Sequence, residues 1–190
     1  ATAANLLGMV CGRQYAGALH GIDITVEGLL GVDIEVFSTT AHASAVKCLG
    51  VVGLGQGYTK VESLPGREAM DVLALEAALR QSQKKSASSK RKHGRILIAN
   101  CGTVTTNDFD DLRTIATLCR EYDAWLHVDA AFGLFARLLD DKRSLTDGIE
   151  LADSITSDAH KWLNVPYDCG LFFTRHAQIL TSSLTVAAPY

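Results

Sequence analysis

The sequence predicts an α/β fold: a mostly parallel sheet with helices on both faces. Two observations carry that reading. Short apolar runs alternate along the chain with stretches of helical periodicity about 10 to 15 residues long, the rhythm of strand–helix–strand units. One run, Arg95-Ile96-Leu97-Ile98-Ala99, is apolar at successive positions instead of every second one. A strand with that pattern has no solvent face, which is the condition of a parallel strand covered on both sides.

The elements follow in order. Residues 3–16 place Leu6, Leu7 and Val10 on one helical face. Ile34 to Phe37 is a short β-type run, and Ser44 to Gly50 a short helix. Val51–Leu54 and Thr59–Val61 each read as a strand. Asp71 caps a helix reaching about Gln83, and Asp110 caps another reaching about Glu121, with Leu112, Ile115, Ala116 and Cys119 at helical spacing. Trp125–Asp129, Asp153–Thr156 and Gly170–Thr174 complete the strands. Gly53-Leu54-Gly55-Gln56-Gly57 has the look of a nucleotide loop, but its spacing is wrong and no clear helix follows, so it reads as a turn. Lys84-Lys85 and Lys90-Arg91-Lys92 read as a solvated flexible loop.

Composition narrows the function classes. The 190 residues suffice for one sizeable core, and 47% apolar with 21% charged residues is an ordinary globular balance. A net charge of −3 gives no reason to expect nucleic acid or an anionic membrane as partner. The longest apolar stretches fall short of the roughly 20 residues that span a bilayer, and the first residues lack a secretory pattern. The five cysteines are odd in number, widely spaced and contain no Cys-x-x-Cys pair. A disulfide framework or zinc site is not expected, no metal is called for, and a cytoplasmic location fits. The abrupt start at Ala1-Thr2 and stop at Pro189-Tyr190 read as those of a piece of a longer protein.

Two motifs carry chemistry. In Leu126-His127-Val128-Asp129-Ala130-Ala131 an acidic residue ends an apolar strand, at the edge where α/β sheets bind ligands. Alone, Asp129 is as readily a helix cap or turn residue. Further on, Ser157-Asp158-Ala159-His160-Lys161-Trp162 puts a lysine just after a strand, which alone is as readily plain surface. Together they meet the needs of pyridoxal chemistry: a lysine to hold the aldehyde as an imine, and a carboxylate to keep the pyridine nitrogen protonated so that the ring acts as an electron sink. Asp129 on one strand end and Lys161 two strand ends along would supply both. Such a lysine must lose its proton to react, which partial burial favours.

The pair His-Val-Asp-Ala-Ala and Asp-Ser-x-x-x-Asp-Ala-His-Lys-Trp-Leu closely resembles the group II pyridoxal-dependent decarboxylases, which act on aromatic amino acids, glutamate and related substrates. Thr2-Ala3-Ala4-Asn5 resembles the family's phosphate-binding turn, although its leading glycines are absent. Ala41-His42-Ala43-Ser44 resembles its His-x-Ser segment. Gly102-Thr103-Val104-Thr105-Thr106 with Phe109-Asp110 resembles Gly-Thr-Thr-x-x-x-x-Phe-Asp, with Val104 at the second threonine. Asn164-Val165-Pro166-Tyr167-Asp168-Cys169-Gly170 follows the lysine as in that family.

The resemblance implies a fold-type I large domain, present in part over residues 1–190 without an N-terminal segment or C-terminal small domain, with its last strand, Leu171–Phe173, antiparallel. It implies pyridoxal 5'-phosphate as cofactor, with Lys161 as Schiff-base lysine and Asp129 on the pyridine nitrogen. His42 would stack on the ring, with Ala131 on the opposite side. Ala1 and Thr2 would bind the phosphate through the positive end of the following helix, helped by His160. Thr103 or Thr105 replaces the missing hydroxyl contact, and Ser154 and Asp110 either support the site or are structural. Tyr190 matches a loop tyrosine that serves the neighbouring subunit and protonates the α-carbon. The implied reaction is release of carbon dioxide from a small-molecule L-amino acid by a homodimer. Other readings stay open: oxidative deamination or transamination on the same scaffold, or a truncated non-catalytic piece.

Overall fold

In the computed structural model, residues 1–186 are described. Six strands form one sheet in the order β2-β1-β3-β4-β5-β6: β1 (Val32–Ser38), β2 (Thr59–Lys60), β3 (Lys92–Asn100), β4 (Ala124–Asp129), β5 (Ser154–Asp158) and β6 (Gly170–Thr174). The first five are mutually parallel and β6 pairs antiparallel with β5, as the resemblance implied. The α-helices are α1 (Thr2–Ala18), α2 (Ile24–Glu27), α3 (Ala43–Val51), α4 (Val72–Ser88), α5 (Leu112–Glu121) and α6 (Ala177–Leu184).

The successive apolar residues of β3 divide between two cores. Leu97 and Ala99 pack with Leu75 and Leu79 of α4 and Ile115 of α5. Ile96 and Ile98 pack with Met9 of α1 and Cys48 and Leu49 of α3. Side chains alternate across a strand, so β3 needs apolar residues at every position to serve both layers. In β4 the same alternation sends Leu126 and Val128 one way and Trp125 the other.

Helix α1 approaches β3 and β4 closely where its glycines face them. A Cβ at Gly12 would sit 2.9 Å from Trp125 Cδ1 and 3.0 Å from Ile96 Cδ1. One at Gly8 would overlap the His127 ring.

Four local expectations need correction. Val51–Leu54 is no strand: α3 runs to Val51, and the Leu54 amide donates back to the Leu49 carbonyl with Gly53 at φ +81°, a glycine-type helix stop. Lys84 and Lys85 belong to α4, which runs on to Ser88, and Lys92 opens β3, so the basic stretch is mainly regular structure. The α5 cap is Asp111, whose carboxylate accepts from the Thr114 amide. Asp110 is instead buried, accepting from the Asn100 and Met70 amides. Finally, β5 is the strand immediately beside β4, so Asp129 and Lys161 follow neighbouring strands. The Gly53–Gly57 segment is a turn, as expected.

Candidate active site

The carboxyl ends of β1, β3, β4 and β5 open on one side of the sheet. A cavity of about 530 Å³ lies there. It is lined by residues at and just past the strand ends: Thr40 to Ser44 after β1, Asn100 and Gly102 to Thr105 around the end of β3, Asp129, Ala131 and Phe132 at β4, and Asp158, His160 and Lys161 at β5, with Ala1 and Thr2 at the start of α1. Ala1, Thr2, His42, Thr103, Asp129, Ala131, His160 and Lys161 thus meet at one cavity. Tyr190 lies outside the described residues.

Asp129 is the last residue of β4 and is buried. One carboxylate oxygen accepts from the Ala131 amide (3.1 Å) and the other from the Asn5 side chain (3.3 Å). Lys161 sits one turn beyond β5. Its ammonium lies 3.2 Å from the Asp158 carboxylate and 3.8 Å from the centroid of the Phe132 ring. Burial lowers the Lys161 pKa from its ordinary value, against the opposing pull of the Asp129 charge.

His42 caps α3: Nδ1 accepts from the Ser44 amide (3.2 Å) and contacts Ser44 Oγ (2.7 Å). That fixes the ring at the cavity edge. His160 Nδ1 lies 3.0 Å from the Cys169 amide, and Nε2 faces Asp158 at 3.6 Å. Thr103 is buried, and its hydroxyl accepts from the Asp108 amide within its own loop. Val104, at the departure from the resemblance pattern, is exposed beside it.

Sequence reading passed over Asp158, Asn5 and Ser44. Asp158 is buried and pairs with Lys161. Its position in the Asp-Ala-His-Lys stretch was the available signal, since an acid three residues before a lysine meets it on one turn. Asn5 and Ser44 stood in motifs, but their contact with each other joins segments distant in sequence.

The pyridoxal-dependent decarboxylase conserved domain matches residues 4–190. The chain belongs to that family. It is 32% identical over 176 residues to the aromatic-L-amino-acid decarboxylase of Bacillus atrophaeus, covering 90% of this chain and 36% of that protein. Among solved structures, the glutamate decarboxylase domain of a diaminobutyrate-pyruvate transaminase and L-2,4-diaminobutyrate decarboxylase from Vibrio parahaemolyticus superposes with a TM-score of 0.84, at 27% identity over 96% of this chain and 39% of that one. Oryza sativa TDC with PLP and tryptamine gives 0.83 at 25% identity, covering 100% and 38%. The family's fold-type I architecture is therefore the fold of this chain, which spans a little over a third of the relatives it matches. Among the described residues no helix is long and apolar enough to cross a membrane.

Proposed function

We propose that this chain carries the pyridoxal 5'-phosphate site of an amino-acid decarboxylase. One observation carries the reading: Asp129 ends β4, Lys161 comes just after the neighbouring parallel strand β5, and both line one cavity together with His42. The residues present suit the cofactor's chemistry. Lys161 offers an amine whose charge burial disfavours, Asp129 offers a buried anion, and α1 begins at the cavity without a side-chain cap, leaving first-turn amides for a phosphate. Asp158 is the group there that opposes an anion, and it is already engaged by Lys161.

When bound, the cofactor supplies a protonated ring that accepts the electron pair left by the departing carboxylate. The chain's own residues do the rest. Lys161, freed from Asp158 and of its proton, would hold the cofactor through its amine. Asp129 would keep a proton on the ring nitrogen. His42 and Ala131 would hold the ring between them. Ala1, Thr2 and His160 would hold the phosphate, and Thr103 would supply a hydroxyl contact. Tyr190 would supply a proton to the α-carbon in the neighbouring subunit's site.

The substrate is a small-molecule L-amino acid. Relatives bear names as different as aromatic-L-amino-acid and L-2,4-diaminobutyrate decarboxylase, which leaves the side chain unassigned. Residues 1–190 form part of the large domain of a cytoplasmic homodimer; the resemblance and five unpaired thiols support this part of the proposal.

The test is the absorbance spectrum of the chain with pyridoxal phosphate, then borohydride reduction and mass spectrometry, beside Lys161→Ala. A band near ~420 nm and a reduced adduct on Lys161 are expected of a lysine bound to the aldehyde. No band, or an adduct indifferent to Lys161→Ala, would overturn the proposal.

A further inference from the structure

Behind Asp129 a chain of buried hydrogen bonds runs back along one face of β4. Trp125 Nε1 lies 3.0 Å from Ser154 Oγ, Ser154 Oγ 2.8 Å from His127 Nδ1, and His127 Nε2 2.9 Å from Asn5 Oδ1. Asn5 Nδ2 then lies 3.3 Å from Asp129 Oδ2 and 2.9 Å from Ser44 Oγ, which contacts His42 Nδ1 at 2.7 Å. Trp125, His127, Ser154 and Asn5 are each at least 98% buried, so water cannot supply missing partners.

The direction of this chain follows from its first member. An indole N–H only donates, so Ser154 Oγ accepts from Trp125. The Ser154 proton then has one acceptor in reach, His127 Nδ1. Burial pushes the His127 imidazolium down to about 4, so near neutral pH the ring carries one proton, and with Nδ1 accepting it sits on Nε2. Nε2 therefore donates to Asn5 Oδ1, with the Thr156 hydroxyl a longer partner at 3.4 Å. With its oxygen held there, Asn5 must turn its amide hydrogens the other way. One goes to Asp129, the other to Ser44, whose own hydroxyl proton then goes to His42 Nδ1.

We propose that Asn5 is a positioning residue for the cofactor: oriented by the Trp125–Ser154–His127 chain, its amide donates at once toward Asp129 and toward His42, the two groups that would hold the pyridine ring. This rests on the reading of Asp129 and His42 given above. The consequence is chemical as well as geometric. A carboxylate that receives a donor competes less well for the proton it shares with the ring nitrogen, so the proton stays on the ring. A flipped Asn5 would present its oxygen to Asp129 and repel it.

Two measurements test this. In the unmodified chain without added cofactor, long-range proton–nitrogen spectra of His127 should place the proton on Nε2; a proton on Nδ1 overturns the polarity whatever the cofactor does. In the chain loaded with pyridoxal phosphate labelled with nitrogen-15 in the ring, the resonance should be that of a protonated pyridine. Asn5→Leu and His127→Leu should move it toward the unprotonated position while the reducible adduct on Lys161 still forms. His127→Gln, which can donate at one end and accept at the other, should restore it. An Asn5→Leu resonance unmoved from wild type, with the Lys161 adduct present, overturns the inference alone. Absence of the Lys161 adduct in the wild type overturns the cofactor reading, and this inference with it.

Discussion

Gly8 is the point at which helix α1 and the buried polar chain depend on each other, and Gly8→Ala should expose that dependence. A methyl group there would overlap Nδ1 and Cε1 of His127 and sit 3.1 Å from its Cγ. The ring cannot step aside cheaply: it is fully buried, and both nitrogens are hydrogen-bonded. Overpacking a filled core costs about 1–3 kcal/mol, and displacing the imidazole from buried partners adds about 1–3 kcal/mol. Alanine's better helix propensity returns at most about 1 kcal/mol. The net is a loss of about 1–6 kcal/mol, or a fall of about 2–24 °C in Tm for a chain of this size. Gly50→Ala is the matched control. Gly50 also lies in a helix, is exposed, and its added methyl would meet only the flexible Gln56 side chain, at 3.2 Å. That substitution should leave Tm unchanged or raise it by up to about 3 °C, from the same propensity gain. Thermal unfolding of both variants by circular dichroism decides the matter. If Gly8→Ala melts with Gly50→Ala, the close approach of α1 to His127 is not what fixes the helix, and the reasoning fails.

Asp71→Ala removes the acceptor for the Leu73 and Ala74 amides at the start of α4 and should cost about 1 kcal/mol in denaturant unfolding, with the m-value unchanged. Two buried groups should give opposing pH dependences. Burial pushes Asp110 up to about 6, so the folded state holds its proton more tightly than the unfolded state, and stability is lost as pH rises from about 4 to about 6. His127 is held down at about 4, so the unfolded state takes its proton first, and stability is lost as pH falls from about 6.5 to about 4. The slopes should largely cancel in the wild type. Asp110→Asn should leave a chain that weakens steeply on acidification through that window, and His127→Gln one that gains stability; urea unfolding between pH 4 and 7 reads both, and parallel curves for the two variants would contradict the assignments.

The sheet was legible in the sequence because its signals are local. Nine consecutive residues of β3 lie within one strand, and its run of apolar side chains needed no partner to be recognised. The same holds for Asp71, whose cap lies two and three residues away. Reading failed where the deciding partner was remote. Val51 and Val52 have strand-forming side chains, yet the backbone follows the helix before them and the glycine after them. Asp110 and Asp111 are adjacent and chemically alike; which one caps α5 depends on β3, whose Asn100 amide claims Asp110 for the interior.

The candidate site divides the same way. Lys161, Asp129 and His42 stand in motifs, and each lies at or shortly past a strand's carboxyl end, so topology alone delivers them to one edge. The hydrogen-bonded chain behind them left a clue of a different kind. His127 sits between apolar neighbours in a strand buried on both faces, and a buried imidazole needs a partner on each nitrogen. Alternation along β4 puts it on the face of Trp125 and Asp129, so those partners had to come from the layer covering that face and from the next strand. Ser154 is the residue opposite it in β5. That Asn5 supplies the other depends on where α1 comes to rest along β4, and the glycines at positions 8 and 12 set that by letting the helix down onto the sheet. A side chain at either would lift α1, withdraw Asn5 from His127, and leave Asp129 without its second donor.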